Sequence, residues 1–480
     1  MCGFVIGNIF TDEKQFRDAL SLIDHRGGDS KGVRRVTNSF SDTWIGHNRL
    51  SIQGLNDESN QPMVKDPYTL VYNGELWRSM EDKKKIFTNL TTGSDTELLI
   101  NLFDLYKENC IKDLDGMFGF AILDEEMDCI IFARDFMGRI PLYYYKRDDK
   151  IVIASELKCI TTTFNVNASD VELVEPGCYY TFDYISGELD KERFYHFPNI
   201  NDIEDMSEQE AIDSIKELLN EGIDNELISD VPVCTILSGG VDSTIVTHLL
   251  SKRIPNLQAF VVSMGDTGKK DDLYYARMAS KEIGIPLHEV IIDKDWIEGN
   301  ISEAIYAIED HKWTQVSPAV AQLALSKKIQ EKGFKVVFGG EGSDELFASY
   351  GDVFAWHYKD EDYIKKRHKL IVDLHKNNLI RTNKAMMYGG TVELRTPFLH
   401  KDLVEFCLTI PPKYKKDGNM WKPLLRKAFK GELSDELLFR PKKTFQEGCH
   451  TIYLKNYKDK IKDYYMNHYE LKNSLEEFMV

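Results

Sequence analysis

The segment Cys234–Leu250, CTILSGGVDSTIVTHLL, limits the fold more than any other part of this 480-residue chain. Its apolar run predicts a strand, the glycine-rich SGGVDS a tight turn, and the amphipathic pattern that follows a helix. The small or short side chains of Ser238, Gly239, Gly240, Asp242 and Ser243 sit where that strand feeds the helix N-terminus. Backbone N–H groups there form an anion cradle. A Walker loop would carry a lysine before its last Ser or Thr, and none is present. Three further strand candidates, LQAFVVSM, PLHEVII and FKVVFGG, alternate with long helical patterns. That alternation predicts a parallel sheet with helices on both faces. At the end of the last of these strands, VVFGGEGSDE places Glu341, Asp344 and Glu345 together. Clustered acids repel unless a cation or an ammonium joins them, and a magnesium ion bridging the phosphates of ATP meets that need.

The first half has another texture. LVYNGE, FGFAILDEE, CIIFARD, PLYYYK and KIVIASE are short β-branched and aromatic runs between turns, the pattern of antiparallel strands. After residue 195 the chain turns polar and acidic, and Ser207 with Glu210 forms a capping box for a helix reaching about Asn225. The expected domains are therefore 1–195 and 207–480. No internal repeat or low-complexity tract interrupts them. A formal charge of −18 without a basic stripe disfavours nucleic acid as a partner. No apolar run has the length of a membrane helix, so the expected setting is the cytoplasm. Eight scattered cysteines lack the spacing of zinc or disulfide sites.

Cys2 needs its own account. Initiator methionine is normally trimmed before a small residue, which would leave Cys2 with a free α-amino group. That amine can deprotonate the thiol, and the thiolate can attack a carboxamide to give a thioester. Arg49 in GHNRLSI offers a fork of donors suited to a carboxylate. In YNGE, the Asn73 side-chain amide and the Gly74 backbone N–H suit an oxyanion hole. Asp95 in TGSDTE offers a counter-charge for a ligand's α-ammonium group. Taken singly, each is a commonplace surface pair, turn or helix cap.

SGGVDS resembles the pyrophosphate loop of ATP pyrophosphatases, and the chain through GEGSDE is similar to the asparagine synthetase family. DHRGGDS, LDGMFGFAILDEE, FARDFMGRIPLYYYK and ASELK resemble landmarks of that family's class II glutamine amidotransferase domain. The likeness runs from Cys2 to about Gly448. It implies two domains of α+β and α/β class: an N-terminal αββα sandwich of the N-terminal-nucleophile hydrolase type, and a parallel α/β sheet of ATP-pyrophosphatase type. It also implies that glutamine is bound by Arg49, Asn73, Gly74 and Asp95 and hydrolysed at Cys2. ATP would lie against Ser238, Gly239, Gly240, Asp242, Ser243, Ser263, Gly340 and Glu341. Asp242 and Asp344 would hold Mg2+, and Glu341 would manage protons as ammonia attacks. A lysine of FRPKKTFQEG, Lys442 by alignment or its neighbour Lys443, would neutralise pyrophosphate. Glu393, Arg395 and Pro397 would be scaffold around the acceptor pocket. Ammonia would cross an internal channel to an acid activated as its acyl-AMP, with aspartate the default acceptor and asparagine the product. Oligomeric state, a homodimer included, stays open.

Departures from the family pattern bear on the acceptor: Gly28 in place of proline, Gly339 in place of serine, His400 in place of an acid, and a loose likeness in EDHKWTQVSPAVA. The alternatives are the same chemistry on another carboxylate, or a ring-closing enzyme like the β-lactam synthetases. The latter usually lack the N-terminal cysteine and carry tyrosine where this chain has Glu341. A catalytically silent binding protein would have no use for all these groups. No phosphoribosyl loop is present. The lysine-rich tail after Gly448 is expected to be a solvated helix.

Overall fold

The computed structural model describes residues 1–468 apart from 38–40, 200–201, 266–269, 348, 350–360, 377, 416, 419, 444–446, 448 and 450. The first half contains two antiparallel six-stranded sheets. In spatial order, the first holds Glu172–Leu173 (β10), Tyr143–Arg147 (β8), Lys150–Ala154 (β9), Gly3–Gly7 (β1), Asp42–Arg49 (β3) and Ser30–Thr37 (β2). The second holds Leu189–Arg193 (β12), Cys178–Asp183 (β11), Cys129–Arg134 (β7), Gly116–Asp124 (β6), Tyr68–Leu76 (β5) and Met63–Lys65 (β4).

Side-chain alternation decides how the sheets stack. Successive residues of a strand face opposite sides, so in β1 Phe4 and Ile6 join a core with Val71, Ala121, Phe132 and Tyr180 of the second sheet. Val5, between them, packs on the other side with Phe16 and Leu20 of the helix Glu13–Ser21. The second sheet's outer face, with Leu70, Tyr72 and Phe120, is covered by Leu98, Leu102 and Phe103 of the helix Asp95–Tyr106. The layers are helix, sheet, sheet, helix, as the resemblance implied.

In the second half, Leu287–Ile291 (β15), Ala259–Ser263 (β14), Val233–Ile236 (β13), Val336–Phe338 (β16) and Glu393–Arg395 (β17) form a sheet in that order. Every pairing is parallel. Cys234, Phe260 and Val262 face the helix Trp313–Glu331, while Leu237, Ala259 and Val261 face Asp272–Ile283. Strand β13 has β14 on one side and β16 on the other, so chain connections leave it in both directions. The cleft at the C-terminal ends of β13 and β16 is the switch point where open α/β sheets take ligands. The capping box forms as expected: Ser207 N–H donates to Glu210 Oε2 at 2.7 Å, Glu210 N–H donates to Ser207 Oγ at 3.2 Å, and the helix runs Glu208–Glu226. In the tail, the helix Lys458–His468 buries Ile461 completely, so it packs rather than floating free; the remainder lies outside the described residues.

Buried ions join the halves. Arg26, fully buried, donates to Cys2 O at 2.8 Å, to Glu156 Oε1 at 2.7 Å and to Asn383 Oδ1 at 3.0 Å. Arg139 meets Glu226 at 2.8 Å. Lys384 donates to Tyr143 OH at 2.8 Å and pairs with Glu309. Among the described residues, no helix is long and apolar enough to cross a membrane. Replacing Arg26 with Met leaves Glu156 short of one buried partner, a type of loss that costs about 3–5 kcal/mol. Urea unfolding of Arg26→Met at neutral pH checks this, and because the pair is buried the loss should persist in high salt.

Candidate active sites

A cavity of about 510 Å³ opens at the switch point. It is lined by Ser238, Gly240, Asp242 and Ser243 from the turn after β13, and by Gly340, Glu341 and Asp344 from the turn after β16. Gly239 and Ser263, expected with them, are not among the lining residues. Gly239 has φ +70°, and a Cβ there would run into the backbone of Tyr275 and Ala276, so its task is to let the turn close. Ser263 is fully buried and accepts from Gly265 N–H at 3.3 Å.

Lys422 is the organising cation of this cavity, and no sequence motif pointed to it. Its Nζ lies 2.5 Å from Asp242 Oδ2 and 2.6 Å from Asp344 Oδ1. Lys442 Nζ lies 2.5 Å from the same Asp344 oxygen, whereas Lys443 donates to Lys270 O at 3.3 Å. Of the two adjacent lysines, then, Lys442 is the one joined to the acidic cluster. Burial would raise the Asp344 pKa, but the two ammonium groups outweigh it and hold the carboxyl at about 2. Burial and the nearby Lys422 lower Lys442. Lys422 adopts a left-handed conformation, φ +53°, just before Pro423, a departure that costs about 1–3 kcal/mol and clusters at ligand sites.

Asp242 and Asp344 thus already converge on one positive charge. Two carboxylates completed by phosphate oxygens are the protein share of a Mg2+ site, so the donor set fits that ion. Among the described residues no cluster of three or more His, Cys, Asp or Glu side chains surrounds a common point. Glu345, third in the acidic run, instead accepts from Asn378 Nδ2 at 3.2 Å. Glu341 is half-buried, its Oε2 is shielded from solvent with no hydrogen-bond partner, and desolvation raises its pKa. A Cβ on residue 339 would collide with that oxygen, so Gly339 leaves the room in which the carboxylate lies.

The other candidate site draws on interior strands of both antiparallel sheets, β1 and β3 of the first and β5 of the second. Cys2 immediately precedes β1, opposite Arg49 at the end of β3, in line with the pairing of Gly3 with Asn48. The thiol accepts from Leu50 N–H at 3.4 Å. Burial pushes it up to about 11. Asn73, fully buried on β5, has neither amide atom hydrogen-bonded, the condition of a group awaiting a ligand. Gly74 beside it has φ +153°, and a Cβ there would strike the backbone of Met117. Asp95 accepts from Tyr72 OH and Leu76 N–H, each at 3.0 Å, and burial raises its pKa. Arg49 differs from expectation. Its terminal nitrogens are engaged by Asn56 O at 3.0 Å, Asn60 Oδ1 at 2.9 Å, Gln53 O at 3.2 Å and Gly54 O, because the loop after β3 folds its carbonyls onto the guanidinium. A ligand carboxylate would have to displace those contacts.

The asparagine synthase family profile matches residues 214–371 and 361–474, and a glutamine amidotransferase domain profile matches 1–196. The chain belongs to the asparagine synthase family. It is 29% identical to Asparagine synthetase [glutamine-hydrolyzing] 2 of Lotus japonicus, over 96% of this chain and 80% of that protein. It is also 29% identical to Asparagine synthetase B [glutamine-hydrolyzing] of Escherichia coli (strain K12), over 93% and 82%. Likeness to a solved glutamine phosphoribosylpyrophosphate amidotransferase from B. subtilis is weak, with TM-score 0.35 and 20% identity over 62% of this chain and 67% of that one.

The departures from the family pattern fall in different places. A Cβ at Gly28 would meet nothing within 4 Å. His400 is buried against Gly222, with Nε2 3.1 Å from Asn225 Nδ2, so it serves helix packing and not the cavity. Gly339 lies inside the cavity, as do Pro318 and Gln322 of the helix carrying the divergent segment. Arg395, read as scaffold near the acceptor, is buried at the seam instead. It donates to Glu393 at 2.9 Å and Ile228 O at 2.6 Å, and its NH2 lies 3.5 Å from Glu75 of the first half.

The raised Cys2 thiol gives a direct test. With Met1 in place the thiol is neutral at pH 7.5, so alkylation by iodoacetamide should be slow and should climb as pH rises towards 11. In molecules whose first residue is Cys2, labelling at pH 7.5 should be at least about tenfold faster, because a neighbouring amine supplies the base. Mass mapping of the two N-terminal peptides from one digest measures both rates.

Proposed function

We propose that the chain makes an amide at the expense of ATP, with glutamine as nitrogen donor and aspartate as acceptor, giving asparagine, glutamate, AMP and pyrophosphate. The observation that carries this is the coexistence of two unmet sets of groups: a buried Asn73 amide without partners beside Cys2, and a phosphate-type turn facing a lysine-bridged carboxylate pair. The domains that divide the work are 1–195 and 207–480, and the reaction takes place in the cytoplasm.

In the first domain the Cys2 sulfur attacks the glutamine carboxamide. Asn73 Nδ2 and the Gly74 N–H hold the oxyanion, ammonia leaves as the thioester forms, and water then releases glutamate. Arg49 exchanges part of its carbonyl shell for the glutamine carboxylate, and Asp95 holds the α-ammonium group. In the second domain, Ser238, Gly240 and Ser243 seat the triphosphate of ATP on the turn that Gly239 allows to close, and Gly340 faces them across the cavity. The acceptor carboxylate attacks the α-phosphorus, and Lys442 stabilises the departing pyrophosphate. Mg2+, held by Asp242 and Asp344, would neutralise phosphate charge. Ammonia arriving by an internal channel attacks the acyl carbon, AMP leaves, and Glu341 takes the surplus proton. A raised pKa makes Glu341 a better base than an ordinary carboxylate.

A second reading keeps the chemistry and changes the acceptor. Gly339 favours it, since a side chain there would collide with Glu341, and Pro318 of the divergent segment also lines the cavity. Ring closure of the β-lactam type has less support, because both Cys2 and Glu341 are in place.

Incubation with glutamine, aspartate, ATP and magnesium should yield asparagine and AMP in equal amounts, and ADP in place of AMP would defeat the proposal. Cys2→Ala should abolish glutamine-dependent synthesis while ammonium chloride still supports it. Asn73→Ala should lower glutaminase kcat by about 10²–10³, the usual loss for an oxyanion donor, without touching the ammonia-dependent rate.

A further inference from the structure

Gln322 carries a signal that the proposed chemistry does not use. It lies on the helix Trp313–Glu331, is 5% exposed, and lines the same cavity as Glu341. Its Nε2 donates to Thr382 Oγ1 at 3.1 Å, while its Oε1 is buried with no partner. Buried carbonyl oxygens are normally matched, so an orphan on a cavity wall points to a donor supplied by the ligand. Glu341 Oε2, also unpartnered, is assigned to the incoming ammonia, which leaves Gln322 Oε1 for the acid itself.

We infer that Gln322 is a specificity residue that accepts a hydrogen bond from an ammonium group on the acceptor, so that the cavity selects amino acids over plain acids. This rests on the proposed adenylation of an acid in this cavity. An ammonium gains twice here: it fills the Oε1 acceptor and lies in the field of the Glu341 carboxylate. A plain diacid leaves the oxygen bare and sets its own negative charge against it. A site built to hydrogen-bond one polar group rejects the analogue that lacks it more strongly than an apolar pocket can. Pro318 and Leu325, also lining the cavity, provide no replacement donor.

The test is ATP–pyrophosphate exchange with aspartate and succinate, and with glutamate and glutarate, in the unaltered enzyme, Gln322→Met and Gln322→Glu. The unaltered enzyme should favour the amino acid of each set. Gln322→Met should raise KM for that amino acid by about ten- to a hundredfold, leaving its kcat and the KM for the amine-free acid unchanged. Gln322→Glu, which keeps an acceptor oxygen, should retain the preference. Equal use of succinate and aspartate, or a Gln322→Met defect shared by amino and amine-free acids, would overturn the inference while leaving adenylation intact. Exchange with glutamate and not aspartate would sink the aspartate reading but still test Gln322 on the glutamate–glutarate pair. Exchange with none of these acids would overturn both.

Discussion

Arg26 is the point at which the two halves become one molecule. A fully buried guanidinium has to find acceptors for its donors inside the protein, and this one takes them from the Cys2 carbonyl, from Glu156, and from Asn383 in the second half. Glu156 in turn holds Lys158 at 2.5 Å and His25 at 2.9 Å. Burial opposes ionisation of that carboxylate, but the surrounding cations prevail and keep its pKa well below the ordinary range. Such a network adds little net stability over an apolar seam, yet losing one member strands the others. Its product is registration: the Cys2 carbonyl is tied to an arginine that also binds the second half, so Cys2 has a fixed position relative to the parallel sheet.

The same accounting governs the ATP-type cavity with opposite emphasis. At the seam Arg26, Arg139, Lys384 and Arg395 each meet a buried carboxylate. In the cavity, Lys422 and Lys442 neutralise Asp242 and Asp344 while the turn after β13 remains open to an anion. Lys422 holds the two carboxylates together, and phosphate groups arriving with a divalent ion would compete for them. A cluster of acids at a strand end is tolerable in the absence of nucleotide because the chain brings its own cations.

Local rules made part of this legible. SGGVDS could be read as a strand-to-helix turn because each position is small where backbone must close or face an anion, and Gly239 shows the steric reason directly. Ser207 and Glu210 announced a helix start through a pairing contained within four residues. Strands β1 and β3 escaped notice because GFVIG has only three apolar residues between two glycines and DTWIGHNR ends in buried His47, Asn48 and Arg49, so neither shows the long apolar run that marked the equally buried β6 and β7. Lys422 was invisible for another reason: its partners lie 180 residues away at Asp242 and on the turn after β16, and no local pattern records such a meeting. Arg49 was identified as a fork of donors, but the loop that satisfies it could not be foreseen from the residue itself.

Family departures carry information only when their location is known. His400 replaces an acid in a recognisable motif, yet it packs between helices and says nothing about substrate. Gly339 looks the milder change, but removing a side chain there gives Glu341 the volume it occupies. Because the Glu341 carboxylate is partly shielded and desolvation raises its pKa, its charge depends on what surrounds it, and part of the cavity wall is the helix that bears the divergent segment. A change in that wall therefore bears on the Glu341 carboxylate as well as on what the cavity admits, which ties the divergence of 309–321 to the glycine at 339.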